Sequence, residues 1–131
     1  MSLNKCGLLV TTAFLAIAFL VVPDQGWAAK LPKGVTIDVL AKYPSKTPGV
    51  EEILFRKITI APGASWSLTV PAQSVCQGTK GVLEIVNKTT GKTTIFKSGE
   101  RWSTIPGHKV TLSAKGTEAH EHLFYTMMPK K

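Results

Sequence analysis

From residue 53 the chain alternates between apolar and polar positions. Leu54, Arg56, Ile58 and Ile60 interleave with Ile53, Phe55, Lys57 and Thr59. Further on, Trp66, Leu68 and Val70 share one face, with Ser65, Ser67 and Thr69 on the other. His108, Val110, Leu112 and Ala114 likewise oppose Lys109, Thr111, Ser113 and Lys115. A period of two marks strands that bury one face. After the first 28 residues no segment carries a helical period. Turn residues punctuate the strands. Pro62-Gly63 ends one strand, and Thr89-Thr90-Gly91 joins residues 82–88 to 92–97 as a hairpin. Ser98-Gly99-Glu100 and Pro106-Gly107 make further turns, and Lys115-Gly116-Thr117 is expected to join the last two strands as a hairpin. Short strands at this spacing predict an all-β sandwich or closed barrel.

The first 50 residues differ. One positive charge, Lys5, precedes an apolar run over residues 8–22. Pro23, Asp24, Gln25 and Gly26 break that run, and Gly26-Trp27-Ala28 sets small residues around a cleavage point. This order predicts a secretory signal peptide over residues 1–28, with cleavage after Ala28 or Ala29. The run is too short for a transmembrane helix, which needs about 18 apolar residues. The expectation is therefore an exported protein, periplasmic or secreted, with no stable membrane anchor after cleavage. Cys6 precedes the run and is not placed for lipidation. Residues 29–50, with Pro32, Pro44, Pro48 and Gly49, read as an extended arm holding one strand over residues 35–40. Residues 51–131 form the barrel.

Cleavage after Ala28 of the 131-residue chain leaves 103 residues, enough for one small core. It removes Lys5 and Asp24 together, so the net charge stays at +8. It also removes Cys6 and leaves Cys76 alone, so no internal disulfide can form. Lysines and arginines are spread thinly, adjacent only at Arg56-Lys57 and Lys130-Lys131. Nucleic-acid binders cluster such charge beside stacking aromatics, so no nucleic-acid partner is expected. The charge implies solubility and weak attraction to anionic surfaces.

Four stretches carry a family resemblance: "APGASWSLTVP", "VCQGTKGVLEIVN", "FKSGERWSTIPGH" and "VTLSAKGTEAHEHLFYTM". Their order of Pro-Gly turns, Gly-led strands and a closing pair of strands resembles the cupin superfamily over residues 51–127. The resemblance implies a small antiparallel jelly-roll β-barrel. It also implies a metal, held by a His-x-His pair and a Glu in a first motif and a His in a second. Here the chain departs from the pattern. No histidine precedes His108, and the inward positions of the relevant strand hold Trp66, Leu68 and Val70. Indole and alkyl groups supply no metal donor, so no family ligand carries over.

The remaining expectation is an apolar pocket holding a small molecule, lined by Trp66, Leu68, Val70, Gln73, Cys76, Trp102, His108 and Tyr125. His120 and His122, two apart, point the same way on a strand and form the alternative, a site for a divalent transition metal. In the expected final hairpin, His108 stands opposite Tyr125 and His122 opposite Thr111. That offset of three residues, roughly 10 Å along the strands, keeps His108 from joining the pair. No carboxylate pair, nucleotide loop or nucleophile elbow is present. Three functions fit. The first is a non-catalytic, exported binding protein for a small apolar ligand or an envelope component. The second is a metal enzyme using an atypical His120 and His122 site. The third is a structural module pairing into a homodimer. The volume of the barrel interior separates the first from the third.

Overall fold

The computed structural model describes residues 30–131; the segment read as a signal peptide lies outside the described residues. Nine strands follow in order: β1 (Val35–Pro44), β2 (Val50–Ile60), β3 (Ser65–Thr69), β4 (Ser74–Lys80), β5 (Val82–Asn87), β6 (Lys92–Lys97), β7 (Arg101–Ser103), β8 (Lys109–Lys115) and β9 (His120–Pro129). They form a five-stranded sheet, β1-β2-β9-β4-β7, and a four-stranded sheet, β3-β8-β5-β6. All pairings are antiparallel. The two sheets face each other across one core of Ile58, Trp66, Cys76, Leu83, Leu112 and Phe124, with neighbours. This is the all-β architecture that the alternation and turns predict, in the antiparallel jelly-roll form that the family resemblance implies.

The faces follow the period-two pattern. On β2, Leu54, Arg56, Ile58 and Ile60 are all buried. On β9, His120, His122, Phe124 and Thr126 are buried while Tyr125 faces out. The hairpin at Thr89-Thr90-Gly91 also forms. Asn87 Oδ1 accepts from the N–H groups of Thr89 and Thr90, at 3.0 and 3.1 Å, and the Gly91 N–H donates to the Asn87 carbonyl at 2.8 Å.

Two expectations are corrected. The segment read as an arm contributes a full edge strand. β1 runs ten residues, to Pro44 rather than residue 40, and pairs along β2 with a bulge between Val39 and Ala41. The final hairpin does not form. β8 pairs with β3 and β5, whereas β9 pairs with β2 and β4 in the other sheet. Phe55 and Val75, not His108, stand opposite Tyr125. Ile58 and Gly78, not Thr111, stand opposite His122. The physical reason is that alternation specifies which face a strand buries, not which strand it pairs with. Crossing between sheets at residues 116–119 lets both strands turn their apolar faces inward.

One glycine makes the other crossing possible. Gly81 alone separates β4, in the five-stranded sheet, from β5, in the four-stranded sheet. Its φ is +67°, and a Cβ there would collide with the Ala119 carbonyl. Only glycine meets both conditions.

Candidate functional site

The two sheets enclose a cavity of about 180 Å³. Its middle is apolar: Ile58, Trp66, Leu68, Ile85, Phe96, Trp102, Leu112 and Phe124. Each sits there because it occupies an inward position of its strand. Trp66 is opposite Leu112, which is opposite Ile85. Trp102 stacks on Phe96 with ring centroids 4.5 Å apart, which ties the short β7 to β6 across the gap between sheets.

The mouth lies at the end where the β5–β6 turn, the β7–β8 loop and the β3–β4 connection meet. Asn87, Lys92, Thr104, Ile105, His108, Val70 and Ser74 border it. Asn87 Nδ2 lies 2.9 Å from His108 Nδ1. The two backbone N–H groups held by Asn87 Oδ1 fix the amide orientation. The amide nitrogen can only donate, so His108 Nδ1 accepts, and the ring proton sits on Nε2. The loop is held by Thr104. Its backbone N–H donates to the Ser74 carbonyl at 2.9 Å, and its hydroxyl accepts the Ser74 N–H at 2.8 Å.

Beside the cavity, on the inner face of the five-stranded sheet, runs a polar chain. The buried Arg56 donates from a terminal guanidinium nitrogen to Thr126 Oγ1 at 2.7 Å. Thr126 Oγ1 is 2.8 Å from Ser74 Oγ, and Ser74 reaches the cavity. The guanidinium carbon lies 4.6 Å from the centre of the Phe124 ring, a cation–π distance.

Deeper on the same sheet, His120 Nε2 and His122 Nδ1 are 2.8 Å apart. One proton bridges them, so at least one ring is neutral. Burial pushes both rings below the ordinary histidine range, His120 to about 4 and His122 to about 3. A weak backbone interaction at Lys80 and the charge of Glu121 partly oppose the shift at His120, while the charge of His120 adds to it at His122. Both rings are therefore neutral at pH 7. His122 lines the cavity, and Trp102 meets its ring edge-on at 5.0 Å between centroids.

The expected pocket residues divide. Trp66, Leu68, Val70, Cys76, Trp102 and His108 line the cavity. Gln73 and Tyr125 do not. Gln73 is exposed on the outward register of the β3–β4 connection. Tyr125 is 44% exposed and stacks on Phe55 outside the barrel at 4.4 Å. Alternation from His122 and Phe124 already places Tyr125 outward; only the expected hairpin turned it toward His108. Burial drives the Cys76 thiol up to about 12, so it is a packing group rather than a nucleophile. Sequence reasoning missed Asn87, Ser74, Ile85, Phe96 and the Arg56 chain. The inward register of Arg56 beside Leu54 and Ile58 was the available signal.

A cupin-type metal does not fit these residues. The inward positions of β3 present an indole and an alkyl group, neither of them a metal donor. His120 and His122 turn one nitrogen each toward the other, and among the described residues no three His, Cys, Asp or Glu side chains gather to hold an ion. Two imidazoles leave a transition metal short of the three protein ligands usual at a catalytic site.

No family model and no curated protein matches the chain. Solved structures do. A protein of unknown function from Rhizobium leguminosarum is 21% identical, with a TM-score of 0.60 over 76% of this chain and 85% of that one. The cupin domain of an XRE-family transcriptional regulator from Enterobacter cloacae is 14% identical, with a TM-score of 0.61 over 75% and 100%. A predicted oxalate decarboxylase from Thermotoga maritima is 19% identical, with a TM-score of 0.55 over 72% and 80%. At these identities the likeness speaks for the fold. This chain shares the fold of that cupin domain.

Proposed function

We propose that this protein is an exported, non-catalytic binding protein that holds a small, largely apolar molecule inside its barrel. The observation that carries the reading is the cavity, about 180 Å³, walled by aromatic and aliphatic side chains and edged by a few polar groups. Its volume sets the ligand size. Drug-sized sites begin at about 300 Å³, whereas an engineered apolar cavity of about 150 Å³ accepts benzene. The ligand is then one ring, or a branched alkyl group of similar bulk. Export rests on the charged, apolar and small-residue order of residues 1–28.

The test is calorimetric titration with benzyl alcohol, a neutral ring-sized probe. The expected result is saturable binding to one site with a dissociation constant of about millimolar or tighter. Leu68→Phe, which places a ring in the cavity from a half-buried position, should abolish binding without lowering the melting temperature by more than a few degrees. Absence of binding to the unaltered protein would remove the proposal.

A further inference from the structure

The charge in and beside the cavity is positive. The one charged side chain in its lining is Lys92, at the mouth, and no aspartate or glutamate lines it. A second positive charge, Arg56, lies on the inner face of the five-stranded sheet outside the cavity lining, and is linked to the cavity through Thr126 and Ser74. Beside the mouth, the bond from Asn87 leaves His108 with its proton on Nε2, a donor that makes no hydrogen bond within the described residues. Around all of this, the chain carries a net charge of +8, which draws anions toward it.

We propose that the ligand is a small monocarboxylate. Its apolar body fills the barrel between Trp66 and Trp102. Its carboxylate stays at the mouth, facing Lys92 and the Nε2–H of His108. This rests on the binding function proposed above and names its ligand class. The arrangement avoids the desolvation that a buried anion would suffer, because Lys92 is exposed and the mouth is wet. A cation of the same shape would meet Lys92, with no carboxylate in the lining to offset it.

Three probes with one ring and different charges test this: benzoate, benzyl alcohol and benzylamine, titrated calorimetrically into the purified protein at low salt. Benzoate should bind at least tenfold more tightly than benzyl alcohol, and benzylamine more weakly than either. Lys92→Glu alters an exposed residue at the start of β6 and should leave the fold intact. It should weaken benzoate at least tenfold while changing benzyl alcohol less than twofold. Raising the salt concentration should erode the benzoate preference in the unaltered protein. Equal or tighter binding of benzyl alcohol, or indifference of benzoate to Lys92→Glu, would overturn the carboxylate assignment and leave the pocket function standing. Failure of all three probes to bind would overturn both.

Discussion

The two sheets bury very different inner faces. The buried side chains of the four-stranded sheet are all apolar: Trp66, Leu83, Leu112 and Ala114, with Leu68 and Ile85 half-buried beside them. The five-stranded sheet buries Arg56, Ser74, His120, His122 and Thr126 among its apolar residues. An apolar face asks only for volume and shape. A polar face must satisfy each donor and acceptor with a defined partner, or the desolvation cost stands uncompensated. The four-stranded sheet supplies Trp66, Leu68, Ile85, Phe96, Val110 and Leu112 to the cavity, against Ile58, Cys76, Trp102 and Phe124 from the five-stranded sheet. The five-stranded sheet fixes the barrel's interior geometry through named hydrogen bonds.

Acid should separate the two faces most strongly. His120 and His122 have folded values of about 4 and about 3, below the ordinary 6.5 of an unfolded chain. The unfolded chain therefore binds more protons than the folded one below pH 6.5. Stability is at its full value above that pH. It falls as the pH drops toward about 4 and then about 3, where the folded protein takes up the protons as well. At pH 4.5 the two rings together cost on the order of 4 kcal/mol relative to pH 7.5. Denaturant melts at the two pH values measure it, and replacing both rings with phenylalanine should flatten the acid limb. A Leu83→Ala exchange on the apolar face comes next. Leu83 is fully buried, so the loss should be about 3 kcal/mol at any pH between 4.5 and 7.5. Thr126→Val keeps the shape but removes the hydroxyl that joins Arg56 to Ser74. It should cost about 2 kcal/mol in the same melts, more than a conservative exchange of equal volume on the apolar face.

Much of this fold was legible in the sequence, and the illegible part has a physical reason. The inward residues of β2, β3 and β8 follow directly from alternation, as does the β5–β6 hairpin from its Asn-Lys-Thr-Thr-Gly turn. Strand partners do not follow. Nothing local to residues 116–119 distinguishes a hairpin from a crossing between sheets, because the choice depends on strands that lie well upstream, from β2 to β5. That one choice misplaced His108 and Tyr125. The site was half legible. Trp66, Leu68, Val70, Cys76 and Trp102 follow from inward registers, and the shared face of His120 and His122 from their spacing. That these rings bond to each other required knowing how the sheet packs over them. Asn87 read as a turn residue, and its second role at His108 appears only once the β5–β6 turn and the β7–β8 loop meet at the mouth.

The central claim is that the barrel interior is a place for a ligand rather than a packing gap. A crystal structure of the protein soaked with benzene or pressurised with xenon tests it directly. The account predicts ordered density between Trp66 and Trp102, in contact with Leu68 and Ile85, with side chains displaced little. A cavity that stays empty under that treatment, or one closed by collapse of the two tryptophans onto each other, would contradict it.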